Sequence, residues 1–215
     1  MEDSAGHWDR VYAATPSTGL SWYEREPTTS VRLIEANDVG SSAVVIDVGA
    51  GASVLVERLL ALGYADVTVL DVSGRALDEA RQRLGKQSEG VAFIRQDVLR
   101  WEPDRLYDVW HDRAVFHFVT DSQDRDRYVE VATRAVRAGG WAVLATFAED
   151  GPTRCSGLPV SRYSSEELAD VFSAHFSLVK EDREEHLTPG GVVQPFTWVL
   201  LRREEQLPSL HSGRL

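Results

Sequence analysis

Two apolar segments that each end at an aspartate constrain the fold of this 215-residue chain most strongly. Segment 44–48 runs into the loop 47–51 (Asp-Val-Gly-Ala-Gly), and segment 67–70 ends at Asp71. Continuous runs of Val, Ile and Leu are typical of parallel strands that are buried on both faces. Glycines allow the backbone to turn sharply after such a strand and to approach a ligand closely. The pattern therefore predicts an open α/β sheet with a ligand site at the carboxyl ends of its strands.

The residues of the glycine loop restrict the kind of ligand. A dinucleotide-binding loop, G-x-G-x-x-G/A, needs a small sixth residue for close packing of helix and strand, and here that residue is Val54. A phosphate-binding loop needs Gly-Lys-Ser/Thr, which does not occur near Gly51. Asp71 lies where a carboxylate can accept hydrogen bonds from both hydroxyls of a ribose. The two strand ends together predict a site for a nucleoside cofactor; alone, the loop would also fit an ordinary tight turn.

Four segments in order along the chain resemble the motifs of the class I S-adenosylmethionine-dependent methyltransferases. The loop that begins at Asp47 resembles the first motif, and Asp97-Val98 resembles the end of the family's third strand. Segment 106–113 resembles the fourth strand, and the Gly139-Gly140 pair resembles the turn into the fifth. This resemblance covers the chain from about Asp47 to about position 147 and implies S-adenosylmethionine as the cofactor.

The resemblance also implies which residues bind that cofactor. Asp71 would bind the ribose and Asp97 the adenine amino group, whereas Asp47 would orient the glycine loop and the cofactor's amino group. A side chain at Gly49 would occupy space that the ligand needs. As alternatives, Asp71 is a loop carboxylate and Asp97 pairs with a nearby arginine. The expected cofactor-binding residues are Asp47, Gly49, Ala50, Gly51, Asp71, Val72, Asp97, Val98 and His111.

His111 and Asp112 are the candidate catalytic residues, because the family commonly places residues that face the transferred methyl group after its fourth strand. Methyl transfer is an SN2 displacement, which needs in-line positioning and a deprotonated nucleophile. A histidine with a pKa near neutrality can accept the proton of the nucleophile. The alternative is that Asp112 and Arg113 form an ion pair that shapes the loop. We interpret His117, within an apolar segment, as a packed histidine.

The methyl acceptor is expected over the carboxyl ends of the fourth and fifth strands. The residues expected to bind it are Trp22, Tyr23, Arg113, Cys155 and Tyr163. Aromatic residues before the first strand resemble an extension found in some family members that methylate protein lysines, whereas other members with similar extensions act on small molecules. The leading hypothesis is methyl transfer to a small molecule. Protein lysine methylation and a binding protein without catalysis are the alternatives.

Composition excludes several other classes of function. The formal net charge of −11 disfavours a broad surface for nucleic acid, since such binding depends on Lys and Arg. No apolar stretch is long enough to span a bilayer, and the acidic N-terminus is unlike a secretory signal. The single cysteine, Cys155, excludes an intramolecular disulfide, and the histidine spacing predicts no metal site. We expect a cytoplasmic protein, and the sequence leaves its oligomeric state open.

The order of elements predicts one methyltransferase domain over residues 1–203. A helical extension or lid over 1–42 precedes a Rossmann-like core over 43–203, and 204–215 form a tail. The alternation of strands and helices resembles the family's sheet, which implies a doubly wound, seven-stranded, mostly parallel core with an antiparallel strand in a C-terminal hairpin. Helices are expected at 28–35, 53–62, 73–84 and 123–138, and one more after the capping box Ser164-x-x-Glu167. The hairpin strands are expected at 176–185 and 192–202.

Overall fold

The computed structural model describes residues 4–37 and 39–205. Its strands are β1 (Val44–Val48), β2 (Asp66–Asp71), β3 (Val91–Arg95), β4 (Tyr107–Arg113), β5 (Val136–Phe147), β6 (Arg154–Cys155), β7 (Leu158–Pro159), β8 (Phe176–Leu187) and β9 (Val193–Arg203). Seven of them form one sheet in the order β3-β2-β1-β4-β5-β9-β8, and β6 and β7 form a short ribbon. Within the large sheet, β9 runs antiparallel to both of its neighbours and the other adjacent pairs are parallel. The predicted seven-stranded, mostly parallel sheet is confirmed.

Helices cover both faces of the sheet, which explains why its central strands are apolar on both sides. The helices are α1 (Ser4–Ala14), α2 (Thr28–Glu35), α3 (Leu55–Ala61), α4 (Gly74–Leu84), α5 (Ser122–Ala135) and α6 (Ser165–Phe172). Buried residues of α2, α3 and α4 form one apolar core, and those of α5 and α6 form another on the opposite face. Helix α1 packs against α4 at the carboxyl edge of the sheet through a small third cluster that contains Tyr12 and Ala76.

The capping residues define most of the helix starts that the sequence predicts. Ser73 accepts a hydrogen bond from the amide of Ala76, and Asp121 caps α5. Ser164 and Glu167 form the expected capping box at the start of α6. Helix α2 has the predicted bounds, and its N-cap is Pro27, which makes no side-chain capping hydrogen bond.

Strand β5 begins five residues earlier than the sequence predicts, at Val136 instead of Trp141. Tyr107 pairs with Val136 and Val109 with Trp141, so the chain from 136 to 141 contains an irregular bulge. A Cβ at Gly140 would lie 2.9 Å from the carbonyl oxygen of Arg137, and only glycine fits there. The glycine pair therefore belongs to the strand, and α5 ends at Ala135 rather than at 138.

The N-terminal extension lies over the carboxyl edge of the sheet, where β1, β2 and β4 end. Ser73 donates a hydrogen bond to Asp9 of α1 over 2.7 Å, and Arg95 forms an ion pair with the same carboxylate. No helix within residues 4–37 and 39–205 is long and apolar enough to cross a membrane. The expected tail is described only at residues 204 and 205, and its remainder lies outside the described residues.

Candidate functional site

The glycine loop after β1 is held in a conformation that needs glycine. Gly49 and Gly51 have φ angles of +61° and +55°, in the left-handed region that side chains disfavour. The amide of Gly49 donates to the carbonyl of Leu70 over 2.7 Å. A Cβ at Gly49 would collide with Val115, and a Cβ at Gly51 would collide with the Tyr12 hydroxyl. Protein side chains therefore already lie against both glycines, and Gly49 also lines the cavities described below.

Asp71 connects the two strand ends that the sequence analysis paired. One of its carboxylate oxygens accepts from the amide of Gly51 over 2.8 Å, and the other accepts from the amide of Ser73 over 2.7 Å. The side chain is buried, and burial raises the pKa of Asp71 to about 6 although both amide hydrogen bonds act to lower it. Asp71 therefore remains mostly ionised at neutral pH, with lone pairs left to accept further hydrogen bonds.

A cavity that is partly open to solvent extends along the carboxyl edge of the sheet from Asp71. At one end it is lined by Val72, Asp97 and Val98, which follow β2 and β3. The Asp97 side chain caps the short turn after β3 by accepting from the amide of Leu99 over 3.0 Å. The arginine at 95, which the sequence offered as a partner for Asp97, is instead paired with α1. The expected ribose and adenine residues thus line one continuous cavity.

The other end of this cavity lies over β4, β5 and β9 and is largely aromatic. Phe147 and Phe196 are paired across β5 and β9, and their ring centroids are 5.0 Å apart. Trp22 and Phe118 line the same end, and Cys155 of β6 completes it. This aromatic end, formed by Trp22, Phe118, Phe147, Cys155 and Phe196, lies where the sequence analysis expects the acceptor.

A second, smaller cavity adjoins the first above the glycine loop. It is lined by Asp47 and Ala50 of the loop region, by His111 of β4, and by Tyr23 from the extension. Tyr12, Trp22, Gly49 and Arg113 line both cavities, so these residues form the boundary between them.

His111 forms part of a buried hydrogen-bond chain in the floor of the second cavity. Its Nδ1 lies 2.7 Å from a carboxylate oxygen of Asp47, and its Nε2 lies 2.9 Å from the hydroxyl of Ser30 in α2. All three residues are less than 5% exposed. Both ring nitrogens therefore have partners within the protein, and proton transfer from the methyl acceptor to His111 stays a prediction. Its geometry fits a residue that orients Asp47 and fastens α2 to the sheet.

The Asp112 side chain is held by hydrogen bonds from its own surroundings. Its carboxylate is fully buried and accepts hydrogen bonds from the amides of Val115 and Phe116, over 2.8 and 3.0 Å, and from the Tyr128 hydroxyl. Burial raises the pKa of Asp112 to about 6. The alternative ion pair with its neighbour is also wrong, because the Arg113 side chain is paired with Glu24. Asp112 shapes the loop after β4 through hydrogen bonds to that loop's backbone.

Tyr163 does not belong to the acceptor end of the cavity. Its ring packs on Phe116, with centroids 5.7 Å apart, within the apolar core on the α5 and α6 face. Its carbonyl accepts a hydrogen bond from the Thr197 hydroxyl over 2.8 Å. His117 is fully buried, and burial lowers its pKa to about 3, as its interpretation as a packed, neutral histidine requires.

Arg113 lies at the centre of a charged cluster that the sequence analysis did not identify. Its guanidinium lies 4.6 Å from the ring centroid of Phe196, and its Nε lies 3.2 Å from the carboxylate of Glu24. Behind Glu24 are Glu184 and His186 of β8, with side-chain ligand atoms of all three within 4.8 Å of one another. We do not assign a metal site to these residues, because the Arg113 cation contacts the Glu24 carboxylate. Glu24 directly follows Trp22-Tyr23 in the sequence, but no local pattern indicated that Glu184 and His186 would lie beside it.

A comparison with protein families agrees with this geometry. A family model described as "Methyltransferase domain" matches residues 45–140, which include the glycine loop, Asp71, Asp97 and the end of β4. The chain belongs to the class I S-adenosylmethionine-dependent methyltransferases. S-adenosylmethionine is accordingly its cofactor. The charges that line the cavity fit a nucleoside that carries no phosphate. Asp71, Asp97 and Asp124 contribute carboxylates, and among the described residues Arg113 is the one basic side chain in the lining.

Relatives of this methyltransferase act on both proteins and small molecules. The chain is 23% identical over 201 residues to EEF1A lysine methyltransferase 2 of Danio rerio, covering 86% of this chain and 80% of that protein. It is 33% identical over 109 residues to the ubiquinone biosynthesis O-methyltransferase of Nitrosomonas europaea, covering 50% of this chain and 45% of the relative. A third relative, the eEF1A lysine and N-terminal methyltransferase of Mus musculus, is 24% identical, and the chain spans 28% of its length.

Solved structures share the fold of this methyltransferase at low sequence identity. The N-methyltransferase NodS from Bradyrhizobium japonicum WM9, in complex with S-adenosyl-L-homocysteine, has a TM-score of 0.73 and 16% identity, covering 95% of this chain and all of that chain. A second solved structure comes from work on the conversion of a disulfide bond into a thioacetal group during echinomycin biosynthesis. It has a TM-score of 0.75 and 22% identity, and the match covers 94% of each chain.

Substitution of Asp71 tests the ribose assignment. We expect Asp71→Ala to weaken binding of S-adenosylhomocysteine by about 1–3 kcal/mol, the range for a hydrogen bond to a charged group. Calorimetric titration measures this loss. Asp66→Ala, at the opposite end of the same strand, is the matched control and is expected to bind normally. Equal affinities of the two variants, both shown to be folded, would remove Asp71 from the cofactor site.

Proposed function

We propose that this protein transfers the methyl group of S-adenosylmethionine to a small organic molecule. The observation that carries this proposal is the aromatic end of the main cavity, which continues beyond the expected nucleoside residues. Phe147 and Phe196 form its floor, and Trp22 of the extension lines it from the lid side. An apolar space next to a cofactor site is typical of a pocket for a small ligand.

The cofactor residues follow from the lining of the two cavities. We assign the ribose to Asp71, the adenine amino group to Asp97 and the faces of the base to Val72 and Val98. We assign the amino group of the methionine part to Asp47, because its carboxylate lies in the adjoining cavity and its orientation is fixed by His111. Gly51 acts indirectly, since its amide orients Asp71.

The aromatic rings have a defined role in methyl transfer. When bound, the cofactor supplies an electrophilic methyl group on a positively charged sulfonium. The rings of Trp22, Phe147 and Phe196 exclude water from the acceptor, and an aromatic face also attracts a sulfonium or an ammonium ion. Because the transfer is an SN2 displacement, the walls contribute mainly by orienting the acceptor.

A protein lysine is the second candidate acceptor. The match to EEF1A lysine methyltransferase 2 covers 86% of this chain and 80% of that protein, and so favours this alternative. A lysine side chain is long and narrow and would enter the same aromatic end from the surface. A binding protein without catalysis is the third candidate, which the absence of turnover would support.

Transfer of labelled methyl groups distinguishes the three candidates. The protein is incubated with methyl-labelled S-adenosylmethionine and a cell extract separated into small-molecule and protein fractions, and mass spectrometry identifies the product. We expect label in a small molecule. Label in protein lysines instead would replace the proposal with the second candidate. Cofactor binding without any labelled product would favour the third.

Filling the aromatic end tests where the acceptor binds. Cys155 lines this end and is buried, and a larger ring at its position would occupy acceptor space. We expect Cys155→Phe to bind S-adenosylhomocysteine within about twofold of wild type but to lose turnover by about 10²-fold, the loss that misplacement of an acceptor can produce. Cys155→Ala serves as the control and should retain turnover. Normal turnover by a folded Cys155→Phe variant would place the acceptor elsewhere.

A further inference from the structure

The short lid segment formed by residues 20–24 joins the two helices of the extension and covers the boundary between the cavities. Trp22 is its central residue and contacts both Trp8 and Tyr12, with ring centroids 5.8 and 6.2 Å apart. Because Trp22 lines both cavities, the position of the lid segment determines the shape of the cofactor site as well as that of the acceptor site.

The lid segment is anchored to the body of the protein by side chains from β4 and β8. Arg113 donates from Nη1 to the carbonyl of Trp22 over 2.9 Å, and its Nε pairs with Glu24. His186 donates from Nε2 to the carbonyl of Ser21 over 2.7 Å. These contacts join residues that are 89 to 165 positions apart in the chain. They therefore form only when the lid segment packs against β4 and β8.

A pair of carboxyl groups completes this anchorage. Side-chain oxygens of Glu24 and Glu184 lie within 4.8 Å of each other, so the two carboxyl groups repel each other unless one of them holds a proton. Trp198 fixes Glu184 by donating from Nε1 over 2.8 Å. Desolvation by burial, with repulsion from Glu184 and against the attraction of Arg113, raises the pKa of Glu24 to about 8.

We propose that Glu184 and Arg113 are positioning residues of the methyl-transfer site, and that closure of the lid segment takes up the proton that Glu24 and Glu184 share. With this proton, the cluster of one guanidinium and two carboxyl groups is neutral. Without it, two half-buried carboxylates face one arginine, and the anchorage of Glu24 weakens. Opening of the segment moves Trp22 away from both cavities and so weakens cofactor binding.

The other titratable groups around the cluster do not change charge in the same pH range. His186 of β8 and His117 near Arg113 both have lowered pKa values because they are buried, so both are neutral above pH 7. Burial raises the pKa of Cys155, which keeps its thiol neutral. The neighbouring ion pair of Arg32 with Asp182 stays charged throughout, since the pKa of Asp182 is lowered.

The direction of the pH effect follows from proton linkage. A glutamate in the open segment has an ordinary pKa near 4.5, whereas Glu24 in the closed segment keeps its proton up to about pH 8. Closure is therefore favoured at low pH. Between the pKa of the open segment, near 4.5, and that of the closed segment, about 8, the equilibrium constant for closure falls by up to about tenfold per pH unit. Above the window the effect levels off, because both states are then ionised.

Calorimetric binding of S-adenosylhomocysteine between about pH 6.5 and about pH 8.5 tests the proposal without any knowledge of the acceptor. We expect the wild-type affinity to fall by at least about fivefold over this range. In Glu184→Gln, the amide donates to the Glu24 carboxylate in place of the shared proton, and the affinity should stay constant within about twofold. Glu185→Gln, an exposed neighbour on the same strand, should behave as wild type.

Tryptic cleavage after Arg25 measures the opening of the segment directly. Cleavage rates, normalised to a peptide substrate at each pH, should rise with pH in wild type and in Glu185→Gln but not in Glu184→Gln. A Glu184→Gln variant that follows wild type in both measurements overturns the proposal, as does a wild type whose affinity does not change. Absence of binding at every pH would instead contradict the cofactor assignment that underlies the proposed function.

Discussion

Replacement of Gly49 by valine is expected to abolish cofactor binding and to destabilise the folded protein by about 2–5 kcal/mol. This range combines the penalty for overpacking with that for a side chain in the left-handed region. The new side chain would collide with Val115 in the loop after β4. Urea unfolding measures the loss of stability, and calorimetry with S-adenosylhomocysteine measures the loss of binding.

A steric control separates the two parts of this effect. Gly49→Ala with Val115→Ala has room for the added methyl group and keeps only the penalty of the backbone conformation. We expect this double variant to be more stable than Gly49→Ala alone. If Val115→Ala makes no difference, the collision does not determine the effect, and the loop rearranges instead.

Replacement of His111 by alanine is expected to lower stability by about 2–4 kcal/mol, the range for losing a hydrogen bond to a buried charge together with buried volume. The Asp47 carboxylate and the Ser30 hydroxyl would each lose a partner. Because Asp47 also loses its orientation, cofactor affinity should fall together with stability. Thermal unfolding and calorimetry measure these two effects.

The pH dependence of turnover distinguishes a structural His111 from a general base. His111→Asn keeps a polar group near Asp47 and is expected to retain the shape of the wild-type pH–rate profile. If the substitution instead removes one limb of the profile at unchanged stability, His111 accepts the proton after all. The Asp112 carboxylate accepts three hydrogen bonds, which fits a structural role in the loop after β4.

Local patterns were sufficient to predict the sheet and the cofactor edge of the site. The apolar runs, the helix caps and the strand-end acids depend on contacts within a few residues, and a parallel sheet brings all its carboxyl ends to one edge. Asp71, Asp97 and the glycine loop therefore lie where their positions along the chain imply. The predicted start of β5 was wrong because a glycine pair is typical both of the end of a helix and of a bulge within a strand.

The neighbours of each side chain depended on the tertiary structure. His111 lies within β4, yet one of its two hydrogen-bond partners is Ser30, 81 positions earlier in the chain. Tyr163 is an aromatic residue of the kind that lines ligand pockets, but its ring packs into the apolar core on the α5 and α6 face.

The sequence by itself determined that this protein has a nucleoside-cofactor edge on a mostly parallel sheet, since strand periodicity and turn chemistry are local. Only the tertiary structure decided what closes that edge. Tyr12 on Gly51, Val115 on Gly49 and the Glu24–Glu184 pair join distant parts of the chain. Such contacts depend on shape, burial and shared protons, which no local pattern encodes.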